Sequence, residues 1–368
     1  MACSGRSKMI HTYTRKFRRE MIRLFTQITS SLPFAEKINE RAKTMWNNLQ
    51  YEEGKLQIPP PKYQEVYGDI TMLDLSQTSG FGETVHPDVL YIQNGFGAGN
   101  WQYLMTITPF PRAIVYFENP EFLVSHDGIE WNIPQGGRSP LIPAPSNWLG
   151  YNSDPSLLYD SGKLYLTYRE VRAEKKFTSI TIYTVSTYDG ITWSSPQTLL
   201  TKKAAAKSEG FLMSQTLLKK DDKYIMWYVD RDDTGVSVIK RDGDNILNIE
   251  NPRVTHIEGM TEGETPWHID VVEDEEDRLL MSICAKAKNK ADHYSILFAE
   301  SGDIGESWRI IGNPIEPGEY PFCEKSLYRA SLVKGPKGTR ILYYSGRDAG
   351  GHWFTALRNV SPTAMIRA

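Results

Sequence analysis

The feature of this chain that most narrows its folding options is a repeat. Strand-like segments QYLMTITPF, KLYLTYREV, KYIMWYVD, RLLMSICAK and TRILYYSGRD begin near residues 102, 163, 223, 278 and 340, at intervals of about 60. Each follows a shorter apolar run, in order HPDVLYI, DPSLLYD, FLMSQTLLKK, HIDVVED and YRASLVKG, and a third strand candidate such as TIYTVST or YSILFAES comes after it. Three units then reach a turn with a tryptophan beyond it: SHDGIEW from 125, STYDGITW from 186 and SGDIGESW from 301. The Asp-Gly chemistry supplies a tight turn, and Trp131, Trp193 and Trp308 are expected to pack between neighbouring sheets. An all-strand unit of roughly 40 to 60 residues hides its faces only by stacking against copies of itself around an axis. The expectation is an all-β fold, a five-bladed β-propeller over residues 67–368.

Residues 14–50 read differently. Phe17, Met21, Leu24 and Ile28, then Phe34, Ile38, Ala42, Met45 and Leu49 after Pro33, follow a three-to-four spacing that predicts two amphipathic helices. The first carries Arg15, Lys16, Arg18, Arg19 and Arg23 on its other face. A membrane surface, a nucleic acid and an assembly partner would each accept such a face, and a docking or oligomerising helix is the plainest use. With the stiff IPPPK connector at 58–62, residues 1–66 are expected to form an N-terminal α-helical segment and linker ahead of the propeller.

Composition excludes some function classes. The chain has 368 residues and a net charge of −3, so no global positive field exists to hold a nucleic-acid backbone. Cys3, Cys284 and Cys323 are scattered, without the spacing of a disulfide framework or a zinc site. No apolar run reaches 18 residues and the N-terminus lacks the apolar stretch of a secretion signal, so neither a transmembrane segment nor export is expected. That places the chain in the cytoplasm or in a virion or surface assembly. The 9 Trp and 20 Tyr suit strands and also sugar stacking.

In a propeller the first strand of each blade lines the central channel, so residues at the five strand starts converge. These starts read His86-Pro87-Asp88, Asp154, Glu209, His268 with Asp270, and Arg329. Asp154-Pro155 and Ser208-Glu209-Gly210 taken singly are ordinary turn residues. All five positions being ionisable, in a chain that is 24% charged, points to a site.

The order of SDPSLLYDSGKLYLTY, SEGFLMSQTLLKKDDKYIMWY, a blade-four His and a blade-five Arg resembles the five-bladed propeller glycosidases, chiefly glycoside hydrolase family 43 and its relatives, over about residues 80–350. The resemblance implies a general acid at Glu209, a tuning aspartate at Asp154 and a central histidine at His268 near a metal ion or water. Glycosidic cleavage needs one protonated and one ionised carboxyl, and a neighbouring carboxylate keeps the acid protonated. Blade one departs from the family: His86 stands where its base aspartate precedes proline, and the nearest carboxylate, Asp88, is two residues on. Glu83, Asp69 and Asp74 are fallback bases.

Trp267, Tyr151, Trp101, Trp148 and Tyr328 are expected near the strand starts as sugar-stacking platforms, Trp267 foremost, although any one of them could equally pack between blades. His268 and Arg329 complete the expected substrate contacts. Arg169-Glu170 and Arg231 are expected as supporting ion pairs at the rim. NGFGAGN, at 94–100, neither opens a helix nor carries the lysine of a phosphate loop, and reads as a hairpin over the channel mouth. No cofactor is required on this reading, with calcium in the channel the one candidate, since His268 and Asp270 are compatible with it. Two functions stay open: a glycoside hydrolase acting on a polysaccharide or oligosaccharide, and a non-catalytic glycan-binding propeller of a phage tail or surface assembly docked through the N-terminal helices. A protein-binding scaffold would not need the ionisable ring.

Overall fold

The computed structural model describes residues 66–360 apart from 80–81, 114, 146–149, 174–176, 206–210, 233–234, 275–277 and 288–291. The two helices expected before residue 50 lie outside the described residues. No helix among the described residues is long and apolar enough to cross a membrane.

Five sheets follow one another along the chain. Blade 1 holds β3 (Thr84–Phe96), β4 (Trp101–Pro109) and β5 (Glu121–Ser125). Blade 2 holds β6 (Gly150–Asp160), β7 (Lys163–Ala173), β8 (Phe177–Thr187) and β9 (Gln197–Ala205), and blade 3 holds β10 (Met213–Lys220), β11 (Lys223–Asp232), β12 (Gly235–Asn245) and β13 (Asn248–Val254). Blade 4 is β15 (Glu264–Glu273), β16 (Leu279–Ala287), β17 (Tyr294–Ser301) and β18 (Ser307–Ile315), with β14 (His256–Glu258) added parallel to β18. Blade 5 is β19 (Ser326–Lys334), β20 (Arg340–Arg347) and β21 (Trp353–Asn359), and its outer edge is completed by β2 (Ile70–Met72) and β1 (Val66–Tyr67). Ile70 pairs with Arg358, and the Leu73 amide donates to Thr355 O at 3.0 Å, so an early strand closes the last blade. The inner strands β3, β6, β10, β15 and β19 pack each against the next, and β19 against β3.

The core lies between blades. Middle strands such as β4 and β11 are buried on both faces and read as continuous apolar runs, because each is covered on either side by a neighbouring sheet. Five apolar clusters fill the five interfaces; one joins Val89, Met105 and Trp131 of blade 1 to Val333 and Tyr343 of blade 5, and another joins Val229 and Trp227 of blade 3 to Ile269 and Trp308 of blade 4.

The three turns, Asp-Gly in blades 1 and 2 and Asp-Ile-Gly in blade 4, act as interlocks in one direction. In each, a Ser or Thr hydroxyl and an Asp carboxylate accept the turn's own amides: Ser125 and Asp127, Thr187 and Asp189, Ser301 and Asp303. The tryptophan beyond then meets an aromatic ring of the preceding blade: Trp131 on Tyr343 at 6.0 Å, Trp193 on Phe122 at 5.2 Å, Trp308 on Trp227 at 6.1 Å. The turn glycines carry positive φ, and two of their carbonyls accept from the ring the tryptophan meets, Tyr343 Oη to Gly128 O at 3.0 Å and Trp227 Nε1 to Gly305 O at 3.1 Å. A Cβ on Gly305 would stand 2.5 Å from Trp227 Cζ2, so glycine is required by space as well as by φ.

Every inner strand is bulged near its start, with the extra residues at 86–87, 154–155, 214–215, 267 and 328–329. A bulge turns side chains away from the regular alternation and into the channel.

Candidate active site

The bulges assemble the site. His86, Asp154 and Ser214, first in the bulges of blades 1 to 3, all adopt left-handed backbone, with φ of 60°, 49° and 52°. Non-glycine residues held there cost on the order of 1 kcal/mol or more each. The return is convergence: ligand atoms of His86, Asp154 and His268 all lie within 4.8 Å of one another, and all three residues are buried.

Asp154 is held rigidly. Its Oδ2 accepts the Ser214 amide at 3.0 Å, and Gln215 Nε2 donates to its carbonyl. This turns Oδ1 towards His86 Nε2 at 3.4 Å and His268 Nδ1 at 3.7 Å. Ser214 Oγ in turn lies 2.9 Å from both the carbonyl and the amide of Ile269, next to His268.

The tautomer of His86 follows from its other nitrogen. Nδ1 lies 2.9 Å from Thr108 Oγ1, and that hydroxyl donates its proton to Val85 O at 3.2 Å. Thr108 therefore accepts from Nδ1–H, and Nε2 presents a lone pair to the Asp154 carboxylate. Neither His86 Nε2 nor either ring nitrogen of His268 has a hydrogen-bond partner among the described residues. Burial pushes His86 down to about 4 and His268 well below its ordinary value, so both rings are neutral at physiological pH. For Asp154, burial opposes ionisation, yet nearby positive charge, including the Arg169 and Arg329 guanidiniums, holds it below the usual carboxylate range. Two neutral imidazoles and an anionic oxygen gathered within 4.8 Å match the donor set of a divalent transition metal.

Tyr328, the first bulge residue of blade 5, roofs this triad, with its ring 4.5 Å from His268 and 5.2 Å from His86. Its hydroxyl accepts Trp267 Nε1 at 3.1 Å. Burial, then the charge of Glu118, drive its pKa well above the ordinary value, so it remains a proton donor. Beneath the triad, Arg329 is fully buried, donating to Pro155 O at 2.9 Å and Asp88 Oδ2 at 3.2 Å. Asp88 also accepts the Leu157 amide at 3.3 Å, and is pushed up to about 7 by burial and then by the neighbouring Asp270, with Arg329 opposing.

The residues expected from the sequence are thus distributed. His86, Asp154 and His268 meet, with Trp267 beside them. Arg329, expected at the substrate, instead ties blade 5 to blades 1 and 2 across the axis, and Asp88 is its counter-ion. Tyr151 is buried with Val171 and Phe211 between blades 2 and 3. Trp101 pairs with Phe96 at the far end of the β3–β4 hairpin, on the order of 30 Å along the strand from His86, so it and the NGFGAGN turn belong to the opposite face. There Ala98 N meets Asp189 O at 3.4 Å. Arg169 is not a rim group: it is buried, with Nη1 3.4 Å from Ser153 Oγ, while Glu170 pairs with Arg172 at 2.6 Å. Glu209 and Trp148 lie outside the described residues; the blade-three bulge falls at Ser214-Gln215, five residues beyond Glu209. The sequence reading missed Ser214 and Thr108, and only the polar pair inside the FLMSQTLLKK run hinted at the first.

Fold and site together define a five-bladed propeller of the kind found in carbohydrate-active enzymes, with a buried histidine–aspartate centre on its axis. No family model matches the chain. Over 327 residues it is 24% identical to an A type blood N-acetyl-α-D-galactosamine deacetylase of Flavonifractor plautii, an alignment covering 77% of this chain and 41% of that protein's length. The crystal structure of an N-acetylgalactosamine deacetylase from F. plautii, in complex with blood group B trisaccharide, superposes with a TM-score of 0.66 at 20% identity, covering 77% of this chain and 91% of that one. A glycoside hydrolase family 43 protein from Bacillus licheniformis gives 0.55 at 14% identity, covering 77% and 54%, and the Bacillus subtilis arabinanase 0.52 at 13%, covering 77% and 97%. The proteins it resembles are carbohydrate-active propeller enzymes.

Proposed function

We propose that this protein removes the N-acyl group of an amino sugar in a glycan, with a divalent transition metal held by His86, Asp154 and His268. The observation that carries the reading is the convergence of His86, Asp154 and His268, whose ligand atoms lie within 4.8 Å of one another while His86 Nε2 and both His268 nitrogens lack a hydrogen-bond partner among the described residues. Buried polar atoms gathered in this way call for a shared partner, which a cation would supply. Two imidazoles and one carboxylate suit zinc or a similar ion better than calcium, which prefers an all-oxygen shell. When bound, that ion supplies Lewis-acid polarisation of an amide carbonyl and a water of lowered pKa.

The chain's own residues supply the rest. Thr108 fixes the His86 ring in its ligating tautomer. Tyr328, its oxygen already accepting from Trp267, has its proton free to donate to a developing oxyanion. Glu118 is buried on the loop before β5 and bears electrostatically on Tyr328; we assign it the proton transfer between attacking water and leaving amine. The trisaccharide bound to the similar deacetylase supports a carbohydrate substrate.

Glycosidic cleavage is the competing activity, and it calls for two working carboxyls. Among the described residues, Asp154 faces the histidines and Asp88 bonds Arg329, which supports deacylation. The products separate the two. Zinc-loaded protein incubated with oligosaccharides ending in N-acetylhexosamine is expected to release acetate, leave chain length unchanged and lose activity in Asp154→Asn. New reducing ends without acetate would replace this reading with a glycosidase.

A further inference from the structure

We infer that the substrate carries an anionic group, a uronate carboxylate or a sulfate ester, next to the acylated sugar, and that Lys286 on the blade-4 wall receives it. This rests on the catalytic reading above for the position of the sugar, but not on the reaction chosen there. Lys286 sits on β16 two residues after Cys284, which is the cross-strand partner of His268. Alternation puts Lys286 on the same face as Cys284, about 7 Å further toward the strand end. Its Nζ lies 4.5 Å over the Trp267 ring and 5.9 Å from the centre of Tyr294. Trp267 touches His268 at 6.2 Å between ring centres, and Tyr294 packs on Tyr328 at 5.6 Å. A continuous aromatic surface therefore joins the ammonium to the triad.

Lys286 has no ion-pair partner among the described residues, whereas three other charged groups nearby are paired. Arg347 pairs with Asp292 at 3.2 Å, His293 with Glu316 at 3.4 Å and His352 with Asp348 at 3.1 Å. A positive charge held on ring faces beside the candidate centre, with no ion-pair partner among the described residues, is complementary to an anion on the substrate. Neutral N-acetylhexosamine glycans would leave this ammonium without its complement.

Calorimetric titration with matched N-acetylhexosamine oligosaccharides, one neutral, one uronate-bearing and one sulfated, tests the assignment on the full chain. At least one anionic ligand is expected to bind about tenfold more tightly than the neutral one. Lys286→Gln should abolish that preference without weakening the neutral ligand, and Lys286→Arg should restore most of it. The two anionic ligands distinguish a carboxylate from a sulfate. Equal affinity for all three, no binding of either anionic ligand, or a preference that survives Lys286→Gln would overturn the proposal. Acetate release from the same ligands is scored separately: anion preference without acetate leaves this inference standing and removes deacylation, and acetate without anion preference does the reverse.

Discussion

His86 and Asp154 occupy the same bulge position in adjacent blades, both in left-handed backbone, and the side chains so aimed bring Nε2 within 3.4 Å of Oδ1. Each precedes a proline, so the HP and DP pairs are one structural device used twice. The device brings a nitrogen and an oxygen from neighbouring strands to one point on the axis.

If that point holds a metal, Thr108 matters without touching it. Thr108→Val keeps shape and removes the acceptor that fixes the His86 tautomer. Zinc affinity should fall about 10- to 100-fold, with the fold retained. Competition titration against a chelator dye, with circular dichroism as the control, measures this. Unchanged affinity would mean that His86 does not ligate through Nε2.

Tyr328→Phe should leave metal content intact and lower kcat for acetate release about 100- to 1,000-fold, as loss of an oxyanion donor does elsewhere. Glu118→Gln should lower kcat as well, and flatten the acidic limb of the pH–rate profile. A raised KM with kcat preserved in either variant would reassign that residue to binding.

The interlocking turns predict an acid limb in stability. Asp189 is held down to about 2 by the amides of Thr192 and Ile191, while Asp127 and Asp303 are also lowered, their amide and hydroxyl donors outweighing partial burial. A depressed carboxylate contributes stability above its unfolded value near 4 and loses it as pH falls through its folded value. Urea midpoints should therefore drop between about pH 4 and pH 2, and the drop should shrink in Asp189→Asn. An identical pH slope in that variant would remove the turns from the account.

Gly305→Ala combines a positive φ of 74° with a Cβ placed 2.5 Å from Trp227 Cζ2. It should cost about 2–4 kcal/mol of unfolding free energy. Gly68→Ala, at φ 62° with open space around it, is the control and should cost about 1 kcal/mol. Similar losses in the two variants would show that backbone strain alone sets the price of the substitution.

Much of the propeller was legible because its signals are local. Apolar runs, Asp-Gly turns and the tryptophans beyond them repeat within each unit, and Trp131, Trp193 and Trp308 meet the preceding blade as their spacing implied. The site was legible only where a strand start coincides with the bulge. His86, Asp154 and His268 satisfy that condition. In blade 3 the bulge lies inside an apolar run, at Ser214, so the eye settles on Glu209 outside it. Arg329 was located correctly along its strand, but its direction is set by the bulge at 328–329, which exchanges the roles of neighbours: Tyr328 faces the histidines and Arg329 the axis below. Trp101 was misplaced because a hairpin's two ends look alike in sequence and lie on opposite faces of the disc. Thr108 enters from the second strand and has no mark of its own.

The one-way turns divide the seams of the ring into two kinds. Those joining blades 5 to 1, 1 to 2 and 3 to 4 are riveted at the face away from the histidines; the seams from 2 to 3 and from 4 to 5 have no such rivet among the described residues. At that face those two seams are tied by ions: Lys219 and Tyr224 of blade 3 donate to Asp160 of blade 2 at 3.1 and 2.7 Å, and Arg340 of blade 5 donates to Asp274 beside blade 4. Aromatic contacts do not titrate, whereas ionic ones open when their carboxylates are protonated, so strong acid should part the circle first at these two seams.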